Sequence, residues 1–301
     1  MTIYENLQLD EERALYGISD AQVRNCTFDG PADGESALKE SSNIRVADSR
    51  FHLRYPFWHV TNAYLESCRM SDGCRAAFWY DRHIHLKNCR LDGIKAVREC
   101  SDFTLEGCEI NSPEFGWLSK QGVMRNCGLS SEYPFFYSRD LKLYDFKLTG
   151  KYSFQYVDGV EIRDSYLDTK DAFWHAKNVT VYNSVVKGEY LGWYSHNLTL
   201  IDCKIIGTQP LCYAENLVLK NCEMIDCDLS FENSVVDADI RGEILSVKNP
   251  RNGRIVADGF GEIISDEHGH GNRCRIELRD GAQCHKSGAC GDREKTLCHR
   301  H

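Results

Sequence analysis

Asn197-Leu-Thr-Leu-Ile-Asp-Cys-Lys-Ile205 is followed, 19 residues on, by Asn216-Leu-Val-Leu-Lys-Asn-Cys-Glu-Met224. The same line occurs upstream as Asn62-Ala-Tyr-Leu-Glu-Ser-Cys-Arg-Met70 and Asn178-Val-Thr-Val-Tyr-Asn-Ser-Val-Val186. With the Cys/Ser position as zero, the anchors are Cys26, Ser49, Cys68, Cys89, Cys108, Cys127, Phe146, Ser165, Ser184, Cys203, Cys222 and Ser234. Successive steps are 23, 19, 21, seven of 19, and 12 residues. Repeats built from helix pairs need roughly 33 residues or more, so this unit is too short for one.

Apolar residues at −5 and −3, as in Val179 and Val181, describe one short strand, and those at 0 and +2, as in Cys203 and Ile205, a second. Asn or Asp at −1 tolerates a left-handed turn between them, and stacked coils place like amides above one another. Gly at +4 (Gly30, Gly93, Gly150, Gly188, Gly207) suits a further sharp turn. A third strand is expected from about +6 to +11. The predicted fold is an all-β right-handed parallel β-helix of about 11 to 12 coils, roughly 50 to 55 Å long at the strand spacing of about 4.8 Å.

Terminal coils must shield open strand edges. Residues 1–20 are read as an N-terminal cap, 21–238 as the repeats, and 239–265, a hairpin-like stretch around Lys248-Asn-Pro-Arg-Asn-Gly253, as a C-terminal cap. Residues 266–301 form a disordered Cys/His-rich tail in this reading, with one strand at Cys274–Leu278.

Composition narrows the partners. Of 301 residues 42% are hydrophobic, and the mean hydropathy is −0.47, which suits a chain with a sizeable core. The formal charge of −9 disfavours nucleic acid. No apolar run approaches the roughly 20 residues of a membrane helix, so no membrane partner is expected. The opening Met1-Thr-Ile-Tyr-Glu-Asn6 has neither a basic nor an apolar region, from which a cytoplasmic location is expected. Seven of the fifteen cysteines occupy the zero position. Stacked parallel side chains at about 4.8 Å lie beyond disulfide Cβ geometry, so these are expected to be free core thiols in a reducing compartment.

The +6 to +11 segment is aromatic: Tyr55-Pro-Phe-Trp-His59, Ala77-Phe-Trp-Tyr80, Tyr133-Pro-Phe-Phe-Tyr137, Tyr152-Ser-Phe-Gln-Tyr156, Asp171-Ala-Phe-Trp-His175 and Tyr190-Leu-Gly-Trp-Tyr194. Charges at +6 and +12 against small residues at +7 and +11 imply that even positions face outward. That parity buries Trp58, Trp79, Trp117, Trp174 and Trp193. It exposes a stripe of Phe57, Phe78, Tyr80, Tyr137, Phe154, Tyr156, Phe173, His175, Tyr194 and Tyr213, with Arg98 and Gln155 as misfits in the Trp column. Aromatic stacking by itself serves stability; a contiguous exposed patch also suits a sugar or a protein.

Ionisable groups gather near the N-terminal end, where Glu40, His59, Tyr80, Arg98 and Glu99, beside Lys39 and Asp81, are the catalytic candidates. Glu40 and Glu99 lie three coils apart, about 14 Å at the strand spacing, which exceeds the separation of a glycosidase carboxylate pair. A lyase would instead use His59 or Arg98 as base. Cys284, His285, Cys290 and Cys298 in the tail are of metal-ligand type, but their spacing matches no close CxxC pair. No metal site and no cofactor are predicted.

The motifs Gly34-Glu-Ser-Ala-Leu-Lys-Glu40, Tyr55-Pro-Phe-Trp58, Lys170-Asp-Ala-Phe-Trp174, Gly188-Glu-Tyr-Leu-Gly-Trp193 and Ser246-Val-Lys-Asn-Pro250 resemble, in order, an uncharacterised and largely bacterial family, domain of unknown function 3737. The resemblance spans roughly residues 3–265. It implies a single-stranded right-handed β-helix of the pectin-lyase-like kind and supplies no catalytic residues. Two functional readings follow. The first is a non-catalytic binding or scaffold protein whose Phe57, Phe78, Tyr137, Phe154, Tyr156, Phe173, His175, Tyr194 and Tyr213 meet a glycan, a protein partner or a second copy of the chain. The alternative is a carbohydrate-active lyase or hydrolase.

Overall fold

A computed structural model describes residues 1–31, 34–269 and 273–279. The chain winds as an all-β parallel solenoid of about 14 turns with a 19-residue period and almost no helix. The first side of each coil is a six-residue strand, such as Lys120–Arg125, Arg139–Tyr144, Asp158–Arg163 and Lys177–Tyr182, paired in parallel register with the coils on either side. The second side is a shorter strand, such as Gly128–Ser131, Lys147–Lys151 and Tyr166–Lys170.

The turn count exceeds the expected 11 to 12 because both ends join the stack. Thr2–Glu5 pairs in parallel with Ala21–Arg24, and Gln8–Leu9 with Thr27–Phe28, so residues 1–20 form a coil of their own. Nor is the stretch after Ser234 a hairpin. Val235–Asp239 pairs in parallel with Asn252–Val256, Glu243–Lys248 with Gly259–Ile264, and Asn252–Ala257 with Arg273–Leu278. The spacing breaks there because the coils vary from 16 to 21 residues while the winding continues.

Corner residues take left-handed backbone. Asp164, Asn183, Asp202 and Asn221 have φ of 52°, 43°, 55° and 53°, and Asn178, Asn197 and Asn216 have 54°, 57° and 53°. Asn and Asp sit there at lower cost than other L-residues. Their amides link coils: Asn197 Nδ2 donates to Asn178 Oδ1 at 2.8 Å, and Asn183 Nδ2 to Asp164 Oδ1 at 2.6 Å.

At the zero position Cys and Ser interchange because either bridges the same corner. The Phe146 amide donates to Ser165 Oγ at 3.1 Å and the Cys108 amide to Cys127 Sγ at 3.5 Å; Cys127 Sγ–H donates in turn to the Arg125 carbonyl at 3.2 Å. Every described cysteine is a free thiol, and all but Cys274 are buried.

The third side departs from the expected strand. Among the aromatic segments of the described coils, Phe57–Trp58, Phe78–Trp79 and Val97–Arg98 pair as strands. Elsewhere the segment is a turn with left-handed residues at alternate positions, as at Tyr152 (φ 54°), Phe154 (59°) and Tyr156 (57°). Period-two alternation of side chains needs extended backbone throughout, so the inferred parity fails. Phe57, Phe78, Phe154 and Phe173, expected outside, are completely buried. They stack along the core: Phe57–Phe78 at 4.9 Å, Phe135–Phe154 at 5.0 Å and Phe154–Phe173 at 5.2 Å between ring centroids. Trp58, Trp79, Trp117, Trp174 and Trp193, expected inside, are only half-buried. The charges at +6 and +12 mark the corners that flank the segment, and their exposure does not propagate through left-handed residues between them.

Candidate functional site

Three aromatic columns run along the third side, offset by one residue each: Phe in the core, Trp half-buried beside it, and Tyr or His exposed. The outermost residue has φ between 52° and 62° in His59, Tyr80, Tyr137, Tyr156, His175, Tyr194 and Tyr213. This bend turns the chain back toward the first side and leaves the ring outside the coil.

Three of the five tryptophans are held by a bond between coils. Trp117 Nε1 donates to the Tyr133 carbonyl at 2.5 Å, Trp174 Nε1 to Tyr190 at 2.7 Å, and Trp193 Nε1 to Gln209 at 2.8 Å, always 16 residues ahead. Gln155, a misfit by sequence, makes the equivalent bond with its amide, Nε2 to the Asp171 carbonyl at 3.2 Å. Arg98, the other misfit, lies between Trp79 and Trp117 with its guanidinium 5.8 and 5.4 Å from their ring centroids. Both residues are polar because the column is half-exposed. That polarity in a tryptophan column was the signal that this side is not a buried one.

Five rings on consecutive coils form one stack, exposed from Tyr137 to Tyr194 and half-buried at Tyr213: Tyr137–Tyr156 at 4.8 Å, Tyr156–His175 at 5.0 Å, His175–Tyr194 at 5.0 Å and Tyr194–Tyr213 at 4.9 Å, with interplanar angles of 8° to 14°. Tyr137 is 53% exposed and Tyr156 40%. Since each face is covered by the next ring, a ligand meets the ring edges, that is, a row of phenol hydroxyls and one imidazole about 5 Å apart. At its end the Tyr213 hydroxyl donates to Glu232 Oε2 at 3.4 Å, and burial with that carboxylate raises the phenol above its ordinary value.

Two residues beyond these rings stand Arg139, Asp158, Lys177, His196 and Glu215, preceded by Arg82 and Lys120 in the earlier coils. Asp158 is engaged by Asn178 and Glu215 by Arg251, whereas Arg82, Lys120, Arg139 and Lys177 have no carboxylate partner among the described residues. The edge of the stack therefore has a basic flank on a chain of net charge −9.

The five catalytic candidates share the N-terminal part of the same side. His59 and Tyr80 are exposed and stacked at 5.1 Å. Glu99 Oε1 accepts from Trp79 Nε1 at 3.4 Å and from Arg98 Nε at 3.3 Å, and Arg98 also reaches Glu114 at 3.8 Å. Glu40 accepts from the Tyr16 hydroxyl, which raises that phenol. Asp81 is completely buried: its Oδ1 accepts from the Val60 amide at 2.7 Å, Oδ2 has no partner, and burial pushes the carboxyl well above its usual value. Cys284, His285, Cys290 and Cys298 lie outside the described residues. Among the described residues no group of three or more His, Cys, Asp or Glu is placed to hold a metal ion.

A family model described as "Protein of unknown function (DUF3737)" matches residues 2–277. Curated protein sequences contain no match. Among solved structures, a variant catalytic domain of GH87 alpha-1,3-glucanase in complex with tetrasaccharides aligns at TM-score 0.40 and 8% identity, covering 94% of this chain and 64% of that one. PfbA, a surface protein and adhesin of Streptococcus pneumoniae, aligns at 0.38 and 6%, covering 92% and 91%. A tailspike protein variant of E. coli bacteriophage HK620 in complex with pentasaccharide aligns at 0.34 and 10%, covering 91% and 68%. This chain thus spans about two thirds of the glucanase domain. The solenoid assignment rests on the strand register above.

Proposed function

The chain belongs to the DUF3737 family, and from that membership and the geometry of its third side we propose a binding β-helix that receives an acidic glycan along the Tyr137–Tyr213 edge. The observation that carries this reading is the pairing of two rows: hydroxyl and imidazole edges at 4.8 to 5.0 Å intervals, and the unpaired Lys120, Arg139 and Lys177 beside them. Tyrosine hydroxyls donate to and accept from sugar hydroxyls. The cations add attraction for carboxylates, which weakens with salt. A periodic ligand extended along the solenoid axis meets the same groups at each coil.

Binding of polygalacturonate and of uncharged dextran, measured by calorimetry at low and high salt, tests the reading. Polygalacturonate should bind, salt should weaken it, and both Tyr156→Ala and the pair Arg139→Ala with Lys177→Ala should reduce it. Equal binding of dextran, or binding untouched by these substitutions, would refute it. The lyase or hydrolase reading draws on the exposed His59–Tyr80 pair; it requires product release from the same polymer, abolished by His59→Ala with the fold intact.

A further inference from the structure

We infer that the second side of the solenoid carries a separate site for a short neutral oligosaccharide, centred on Gly128. Outward positions of that side are in register through Arg69, Arg90, Glu109, Gly128, Lys147 and Tyr166. Gly128 alone in this row has no side chain.

The backbone does not require the glycine. Gly128 is paired as a strand residue on both sides, and its φ lies outside the left-handed region. A Cβ there would meet, at 2.6 Å, only the far end of the Glu109 side chain. Gly122, in the same coil, contrasts with it: the ring of Phe103 occupies the space of its missing side chain. A strand glycine that neither conformation nor core packing explains often marks a close approach by something else.

Beside Gly128, whose missing side chain leaves room for the end of Glu109, lies an opening of about 480 Å³, which continues past Asn111, Ser130 and Thr149 into a second of about 380 Å³ lined by Gly150. Such volumes suit a small ligand. Asn111, Ser130 and Thr149 are register partners and form the floor. Glu109, Asp145 and Lys147 stand around it. At other corners of this series amides are spent on their neighbours, as Asn25 on Asn6, Asn183 on Asp164 and Asn221 on Asp202. Asn126 and Asp145 occupy the same positions in adjacent coils and make no such bond, and the floor side chains make none either, so their capacity is open to a ligand.

These groups alternate acceptors (Glu109, Asp145) with donors (Asn111, Asn126, Lys147) and include no aromatic wall. Hydroxyl groups, each donor and acceptor at once, match that set. Around the first opening Asp92, Glu109 and Asp145 outnumber Arg90 and Lys147, which discourages an anion, so the ligand class differs from that proposed for the tyrosine edge.

The test uses maltotriose, cellotriose and laminaritriose, with trigalacturonate as the anionic control, in thermal-shift and calorimetric titrations of the full chain. Gly128→Lys closes the opening with the residue type that the next coil carries at the same place. Asn111→Ala removes one floor amide and should weaken binding roughly three- to tenfold. The inference predicts that at least one neutral trisaccharide binds, that Gly128→Lys abolishes this, and that Tyr156→Ala does not. It is overturned if none of the three binds, if trigalacturonate binds better, or if binding survives both Gly128→Lys and Asn111→Ala. Failure of the tyrosine-edge reading shows separately, through polygalacturonate and Tyr156→Ala.

Discussion

Gln155 and Trp174 occupy equivalent places in consecutive coils and make one bond by different chemistry: Gln155 Nε2 donates to the Asp171 carbonyl at 3.2 Å, and Trp174 Nε1 to the Tyr190 carbonyl at 2.7 Å. At Trp117, Gln155, Trp174 and Trp193 the column carries a donor aimed at the next coil, and the ring is one way of carrying it. Gln155→Leu keeps the volume and removes the donor, so it should cost about 1 to 2 kcal/mol in urea unfolding. Gln155→Trp restores the donor and extends the stack toward Trp174. Its stability should equal or exceed that of the wild type; a value below Gln155→Leu would disprove the equivalence.

Tyr156 combines left-handed backbone, φ 57°, with ring contacts to Tyr137 and His175. Removal of the ring forfeits two stacked pairs, each about 0.5 to 1.5 kcal/mol. The replacement then matters in an unusual sense. Alanine retains the steric cost of left-handed backbone, about 1 to 2 kcal/mol, and glycine does not. Tyr156→Gly should therefore be the more stable of the two variants by about 1 kcal/mol, against the ordinary preference for alanine over glycine; calorimetric melting of both checks this.

Asp81 stands where neighbouring coils place Cys100, Ser119 and Ser138, and Ser119 and Ser138 each accept an amide from the coil before, as Asp81 does from Val60. Because burial raises its carboxyl above the usual value, the folded state holds the proton more firmly than the unfolded state does. Unfolding then releases a proton to solution at intermediate pH, and stability falls as pH rises from the ordinary carboxylate range toward the raised value. Asp81→Asn keeps the acceptor without the ionisation. The variant should gain on the wild type progressively as pH rises above the ordinary carboxylate range in urea titrations, and a difference that stays constant with pH would contradict an ionisable origin.

The buried thiols should be chemically silent. Neighbouring thiols and burial push Cys89 and Cys108 up to about 12, and chiefly burial does the same to Cys74; Cys68 and Cys222 are lowered by a hydrogen bond from the neighbouring thiol but are completely buried. Only thiolate alkylates readily. Iodoacetamide at neutral pH, followed by peptide mass spectrometry, should label Cys274 before any other described cysteine, with the remaining eleven modified only after denaturation. Rapid native labelling of Cys108 or Cys127 would show that the solenoid opens there.

The periodic line through Asn178, Asn197 and Asn216 was enough to specify a parallel solenoid, because strands at −5 to −3 and 0 to +2 with a left-handed Asn or Asp between them admit one way of stacking. It placed Val179, Val181, Cys203 and Ile205 inside, and these are buried. It also put Glu99, Arg98, His59 and Tyr80 in one neighbourhood. The ends were harder to read: residues 1–20 and 235–264 bury fewer side chains and vary in coil length, so the pattern fades although the winding does not.

The aromatic columns were beyond that logic. Which of Phe154, Gln155 and Tyr156 faces water depends on left-handed φ at Phe154 and Tyr156, residue types that do not announce it, and one such residue shifts the direction of every side chain after it. Gly128 shows the complement. Its identity was always legible, yet a glycine becomes an opening only when the coils beside it are known to put Glu109 and Lys147 outward in register. Local sequence thus determines where this chain bends and pairs. Which surface groups stand together is decided by the accumulated backbone rotation between bends, a sum over residues that no single motif encodes.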